Sequence, residues 1–557
     1  MYNSEYTVNN TNEFIEMKTI AEGQSLANLI LRDRIYVDKT KYIFSLLRSH
    51  ERVFISRPRR FGKSLTLDTI GTLFEYGVEP YFKDTWIYDK WSENTYPVLR
   101  LNFLEFSKTD IDEFKRVFNE KLSVFAKDNN LEGFVEDTEP SVSIQRLFTI
   151  LTKSRVQIVI LIDEYDTQLT SNINNVELYE KYQNILREIY GVLKGAAAIR
   201  FLGITGVTRI KDVALFSNGS DIIDISNHTE FSQMIGFTRD EIREYYIDYL
   251  KMAACCENGV SENEVTDSQI EEILDKLDYH YNGYCFDKYG EKKVFSTWSV
   301  NNFFNELSAN RKCFYGDYWY DNGGVPSILS NYLETQNLSS VEVLANNKII
   351  SVDINEFLIP QSLIGINEHV LMCQTGYLTL RSSLVDTDGW VDLGIPNNEV
   401  RKALLLRLRM MCFEKRVRFT SEEAKILNEG DVNSIISLFN TVLNSVSYDH
   451  FCIVNEAALR TVIYLGLLRN QVNIQCEVQS SKGRADLVIE TSDRRIVLEF
   501  KYAQNENEAK AKLDEAVAQI KARDYGNILP LKKETLKIAA VFNADQNVRA
   551  ICEYQKV

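Results

Sequence analysis

The sequence predicts an α/β protein with two α/β units on either side of a mainly helical stretch. Three observations lead to this. From Tyr36 to about Asp240, short β-rich runs alternate with helical patterns; from about Glu241 to Asn440 the pattern is mainly helical; near Asn444 the strands return. A chain of 557 residues is also too long for one hydrophobic core.

The elements follow in order. The first 20 or so residues are polar and read as a loose arm. Residues 52–56 (RVFIS), 98–103 (VLRLNF), 158–166 (IVILIDEYD) and 199–207 (IRFLGITGV) read as strands. Near-continuous apolar runs of this kind suit a parallel sheet buried on both faces. Between them SLTLDTIGTLFEY and EFKRVFNEKLSVFAK carry helical spacing. The helical stretch is interrupted by YHYNGYCF (279–286) and YGDYWYDNGG (315–324). The last unit opens with a helix-like NEAALRTVIYLGLLRN. Strands IQCEVQ, ADLVIE and RIVLEFKYA follow, then the helix EAKAKLDEAVAQIKARDY. The expected division is an arm at 1–20, a nucleotide module at 21–240, a helical coupling region at 241–440 and a last module at 441–557.

Composition narrows the function classes. No apolar run approaches the roughly 20 residues that span a bilayer, and the N-terminus has neither a basic nor an apolar leader region. A cytoplasmic protein without a membrane partner is therefore expected. Nine scattered Cys and five His, with no C-x-x-C pair, argue for reduced thiols rather than zinc sites. A formal net charge of −16 opposes nonspecific nucleic-acid binding by the whole surface. It leaves room for a local basic groove.

The first chemical motif is FISRPRRFGKSLTLDTI (54–70). A P-loop holds phosphates on backbone N–H groups and neutralises them with a lysine. Gly62 fits where a Cβ would obstruct that approach, Lys63 would reach the β- and γ-phosphates, and Ser64 would ligate Mg²⁺. Yet Arg57 stands where the pattern has its first glycine, and Gly-Lys-Ser alone is equally a capped helix start. Arg57, Arg59 and Arg60 are available to phosphates, to a neighbouring subunit's nucleotide in a homo-oligomer, or to DNA. The second element is the acid-ended strand IVILIDEYD: Asp163 would hold Mg²⁺ through water and Glu164 would activate the attacking water. A third strand ends in Thr205, a candidate γ-phosphate sensor, with Arg209 after it. Together the three elements call for ATP and Mg²⁺.

The second motif is GRADLVIETSDRRIVLEFKYA. Alternation along a strand puts Glu499 and Lys501 on one face and Phe500 on the other. If the two strands form a hairpin through TSDRR, Asp486 lies across from them. Two carboxylates and an ammonium then converge, with oxygen ligands suited to Mg²⁺ or Mn²⁺. Such a metal polarises a phosphoryl group and generates hydroxide near neutral pH. Lys501 would orient the water or stabilise developing charge. Glu456 begins the preceding helix as a further metal ligand or water holder. Gln519, in the last helix, would position a ligand or the DNA backbone, with Arg484 as a supporting nucleic-acid contact. In isolation, an Asp followed by Glu-x-Lys is also an ordinary surface hairpin.

YVDKTKYIFSLL, RPRRFGKSL, LIDEYD, GVTRI, GFT, YNGYCF and TWSVNNF together resemble the bacterial AAA-ATPase-like family, over about residues 20–330. That family is commonly joined to a C-terminal domain of the PD-(D/E)XK nuclease superfamily, which GRADLVI, VLEFKYA and AVAQIKARDY resemble. The resemblance implies an AAA-like P-loop NTPase sheet and a C-terminal restriction-endonuclease-like α/β domain. It also implies that Arg-Pro-Arg-Arg is the family's usual form of the loop. Two features depart from the superfamily: Ala485 precedes Asp486 where proline is common, and Arg523 stands four residues after Gln519 where related exonucleases carry Tyr, here Tyr525. YNGYCF is either core packing around a glycine turn or a stacking platform for a base.

The expected function is an ATPase driving or gating a metal-dependent nuclease on nucleic acid, DNA ahead of RNA, with foreign DNA a natural target. The alternative is a regulatory ATPase scaffold whose nuclease-like domain binds nucleic acid without cutting.

Overall fold

The computed structural model describes residues 17–21, 23–213, 215, 221–321, 349–385, 387–413, 421–446, 453–467, 473–480, 483–523 and 534–557. Most of the polar arm, residues 322–324 of YGDYWYDNGG, and Tyr525 lie outside them. The chain divides into two compact units, Met1–Gly324 with Ile354–Gly389, and Val325–Asp353 with Trp390–Val557. Among the described residues no helix is long and apolar enough to cross a membrane.

The first unit is built on a parallel five-stranded sheet. Its strands are β1 (Arg52–Ser56), β2 (Val98–Asn102), β3 (Ile158–Asp163), β4 (Ile199–Gly206) and β5 (Ile223–Asp224), in the order β2-β3-β4-β1-β5. All six residues of β3 are buried, as its unbroken apolar run requires of a strand covered on both faces. The order places β4 between β1 and β3. Groups at the carboxyl ends of these three strands therefore meet, although β1 and β3 are about 100 residues apart in sequence. The Lys63–Tyr76 helix follows β1 after a six-residue turn, and Ile111–Asp128, Pro140–Ser154 and Val176–Leu193 are further long helices of this unit.

The mainly helical stretch begins at Arg239–Tyr245, whose first turn is closed by a capping box between Thr238 and Glu241. The helices Ile247–Asn258, Asp267–Tyr281 and Thr297–Asn310 follow, with the short hairpin β6 (Tyr284–Cys285) and β7 (Lys293–Val294). They bury their own core, in which Leu250, Ile273, Tyr281, Phe303 and Phe304 are fully enclosed. The short strand β9 (Thr379–Leu380) also belongs to this unit.

Among the described residues the second unit contains β8 (Ile350–Asp353) paired antiparallel with β10 (Trp390–Gly394), three helices between Asn398 and Leu443, and the Glu456–Leu467 helix. Then comes a five-stranded mixed sheet, β11 (Asn473–Ser480), β12 (Gly483–Glu490), β13 (Arg494–Ala503), β14 (Glu534–Asn543) and β15 (Ala550–Lys556), arranged in sequence order. β12 and β13 form the expected hairpin, and β13 pairs parallel with β14. The Glu506–Arg523 helix makes the crossover and covers the face carrying Val497 and Ala539. The protein is thus α/β: a parallel N-terminal sheet, a helical middle and a C-terminal sheet domain.

Candidate functional sites

The turn between β1 and the Lys63–Tyr76 helix is held from every side. Arg57, where a glycine was expected, is 1 % exposed. Its backbone N–H donates to Gly206 O at 3.1 Å. Its guanidinium donates to Ser56 O and Ser226 O at 2.8 and 2.7 Å and lies 4.1 Å from the Phe286 ring centroid. Burial holds this guanidinium below its usual pKa, and Asp224 works in the opposite direction. Arg57 is therefore a buried strut and does not face a ligand. Gly62 starts the helix with φ 102, left-handed backbone that glycine adopts without strain. Arg60 and Glu164 adopt φ 71 and 53 despite their side chains. Such conformations cluster where a site overrides local preference.

Lys63 and Ser64 meet the acids at the ends of the strands. Lys63 is buried, its Nζ donating to Arg57 O and Pro58 O at 3.1 and 3.2 Å and standing 3.3 Å from Glu164 Oε1. Ser64 Oγ donates to Asp163 Oδ2 at 2.5 Å, and Thr205 Oγ1 donates to Asp163 Oδ1. A cavity of about 890 Å³ opens beside them, bounded by Arg59, Arg60, Gly62, Lys63, Ser64 and Glu164 on one side and Trp298 on another. This volume is of the size that encloses a small-molecule ligand. Just behind, Asp166 accepts from Thr208 N and Oγ1 and from Val207 N, which ties the end of β3 to the segment after β4. Burial first, and then the charge of Glu164, push the Asp166 pKa up.

Arg209 is not brought to this cavity. Its guanidinium is committed to Asp224 at 2.7 Å and to Phe357 O and Leu358 O at 3.2 and 3.0 Å. YNGYCF packs: Tyr284 and Phe286 meet the buried Phe61 ring edge-on at 4.7 and 5.7 Å, and Phe286 backs Arg57. The segment thus mounts the turn from below.

At the carboxyl end of β13, Lys501 meets Glu456 and Glu499, and Asp486 meets the Phe500 N–H between them. Asp486 on β12 accepts the Phe500 N–H at Oδ2, 2.8 Å, so the hairpin aims this carboxylate at the Glu-x-Lys end of its neighbour. Its Oδ1 accepts from Arg460 Nη1 at 3.2 Å. Glu499 is 1 % exposed, and Lys501 Nζ stands 3.7 Å from Glu499 Oε1 and 3.5 Å from Glu456 Oε2. Glu515, on the covering helix, is held below the usual carboxylate range by its hydrogen bond from Lys512 and, further off, by the charge of Lys501. Gln519 lies half-buried one turn beyond Glu515, and Arg484 is exposed at the start of β12. Among the described residues no three His, Cys, Asp or Glu side chains are grouped to hold a metal ion. Lys501 and Arg460 lie against the carboxylates instead. The donor set is anionic oxygen, which fits a hard divalent cation.

Sequence reasoning missed Arg460, Glu515 and Trp298. Arg460 had a readable signal: it lies four residues after Glu456, on the same helix face.

Two family models match the chain, one over each of these regions. Residues 23–216 match the family model described as "Predicted AAA-ATPase", and residues 454–552 match that of the PD-(D/E)XK nuclease superfamily. The chain thus carries an AAA-ATPase-like domain and a PD-(D/E)XK superfamily domain. A protein of Azotobacter chroococcum mcd 1, described as an uncharacterized protein in the vnfD 5′ region, is 25 % identical over 529 residues, 91 % of this chain and 93 % of that protein. Among solved structures, Cdc6p from Pyrobaculum aerophilum aligns over 66 % of this chain and 91 % of its own at 12 % identity and a TM-score of 0.25. The Aeropyrum pernix ORC1 protein, solved in complex with DNA, aligns over 68 % and 95 % at 11 % identity and a TM-score of 0.26.

Proposed function

We propose that this protein binds and hydrolyses ATP and uses that cycle to drive or gate a Mg²⁺- or Mn²⁺-dependent DNA nuclease, suited to attack on foreign DNA in the cytoplasm. In this reading residues 21–240 are the nucleotide module, 241–440 couple, and 441–557 cut. The observation that carries it is the Asp486 carboxylate, tied to the N–H of Phe500, the residue between the buried Glu499 and Lys501. It occurs on a chain that also brings Lys63, Ser64 and Glu164 to one cavity, with Asp163 hydrogen-bonded to Ser64.

In the nucleotide module, Lys63 exchanges the carbonyls of Arg57 and Pro58 and the Glu164 carboxylate for the β- and γ-phosphates. Ser64 and Asp163 hold the magnesium of the bound nucleotide. Glu164 accepts the proton of the attacking water, and Thr205 keeps Asp163 in place. In the nuclease module, Asp486 and Glu499 hold the divalent cation, with Glu456 at the rim. Such a cation supplies phosphoryl polarisation and a water acidic enough to attack near neutral pH. Lys501 orients the nucleophile and meets the negative charge that develops on the phosphate. Gln519 and Arg484 support the backbone of the bound strand.

The test is purified full-length protein with plasmid and linear DNA in Mg²⁺ or Mn²⁺. Cutting is expected, and Glu499→Ala and Lys501→Ala each abolish it. Cutting that survives both substitutions sinks the assignment. DNA retained but never cut by wild type supports a binding scaffold instead.

A further inference from the structure

All four carbonyls of the Arg57–Arg60 turn are engaged as acceptors. The first two receive Lys63 Nζ. The last two are held by donors that lie 237 and 260 residues later. Thr297 Oγ1 and Trp298 N, at the start of the Thr297–Asn310 helix, donate to Arg60 O at 3.1 and 3.3 Å. Trp319 Nε1 donates to Arg59 O at 3.3 Å. These donors are tied to one another, since Trp298 Nε1 donates to Tyr318 O at 3.2 Å. The Arg60 guanidinium lies 3.9 Å from the Trp298 ring centroid.

A trans peptide is planar, with its C=O and N–H pointing in opposite directions. Fixing Arg59 O therefore fixes the N–H of Arg60, and fixing Arg60 O fixes the N–H of Phe61. A phosphate-binding turn works by presenting such N–H groups together. A glycine-rich turn reaches that conformation through its own backbone freedom. Here three arginines and a proline occupy it, and Arg60 takes a left-handed φ of 71.

We propose that Thr297 and Trp319 are positioning residues for nucleotide phosphate: the helical region holds the P-loop carbonyls outward, so that the loop binds nucleotide only when that region is seated. Nucleotide state and the seating of the helices then become one equilibrium, because each favours the same conformation of the turn. This rests on the nucleotide reading of the cavity.

The experiment is calorimetric titration of the full chain with ATP and Mg²⁺, alongside urea unfolding. Thr297→Val removes the hydroxyl donor at constant shape, and Thr297→Ser keeps it. One hydrogen bond lost at the turn corresponds to roughly 3- to 10-fold weaker binding. Thr297→Val is expected to show that loss with an unchanged urea midpoint, and Thr297→Ser to bind as wild type. Trp319→Phe, which removes the second donor, is expected to lose a similar factor. If that variant fails to fold, the Thr297 pair decides alone. Equal wild-type affinity for Thr297→Val and Thr297→Ser, in a preparation where Lys63→Ala loses binding, overturns the proposal. If Lys63→Ala also binds normally, the nucleotide reading fails and the proposal fails with it.

Discussion

Asp486 offers the sharpest stability prediction, because it is both a candidate metal ligand and a structural anchor. Asp486→Ala removes the acceptor of the buried Phe500 N–H and the counter-charge of Arg460, whose side chain is 6 % exposed against 18 % for Asp486. A hydrogen bond to a charged group contributes about 1.5–3 kcal/mol. Removing one partner of a buried pair costs about 3–5 kcal/mol, because the other charge stays buried. The two estimates concern one carboxylate, so the expected loss is about 3–5 kcal/mol in all. Asp486→Asn, which keeps an acceptor but not the charge, loses roughly half of that. Glu456→Ala loses less than about 1 kcal/mol, since Glu456 is 40 % exposed and meets Lys501 only at 3.5 Å. Hydrogen exchange followed on peptides from β12 and β13 reads the loss locally. Exchange roughly 100- to 4,000-fold faster is expected in Asp486→Ala, up to the rate set by global unfolding. Unchanged exchange in these strands would refute the anchoring role. A practical consequence follows: lost cutting in Asp486→Ala mixes chemistry with unfolding, whereas Glu499→Ala and Lys501→Ala are tested beside their own exchange profiles.

Two further outcomes check the first unit. A Cβ added at Gly206 would stand 2.8 Å from Asp166 Oδ1 and against the buried Tyr165 ring, so Gly206→Ala is expected to cost about 1–3 kcal/mol and to weaken ATP binding; wild-type urea stability would contradict this packing. Burial pushes the Cys285 thiol up, which lowers its thiolate fraction at a given pH, so at pH 8 iodoacetamide is expected to label exposed Cys256 well before Cys285, with the order lost in urea. Equal labelling of the two in the folded protein would show that β6 is open.

Much of the fold was legible because its signals are local. The apolar run of β3 and the Glu-x-Lys alternation of β13 each state a strand and a face within ten residues. The meeting of Lys63 and Ser64 with Asp163 and Glu164 was legible too, since parallel strands place such residues at one edge. Other features depended on long-range partners. β5 is two residues long and exists only by pairing with β1. Arg57 reads as surface charge, yet carbonyls of Ser56 and Ser226 and the Phe286 ring make a site for it inside. Arg209 follows a strand end as a sensor would, but Asp224 and two carbonyls hold it elsewhere. The tryptophan that holds Arg59 O lies 260 residues away, beyond the reach of any motif.

The central claim is that nucleotide at Lys63 governs cutting at Glu499. The most direct measurement is the rate of DNA cleavage in Mg²⁺ by wild type and Lys63→Ala, each with and without ATP. The expected result is a wild-type rate that changes with ATP and a Lys63→Ala rate that does not respond to it. Equal rates in all four reactions would show that the two sites work independently and would contradict the account.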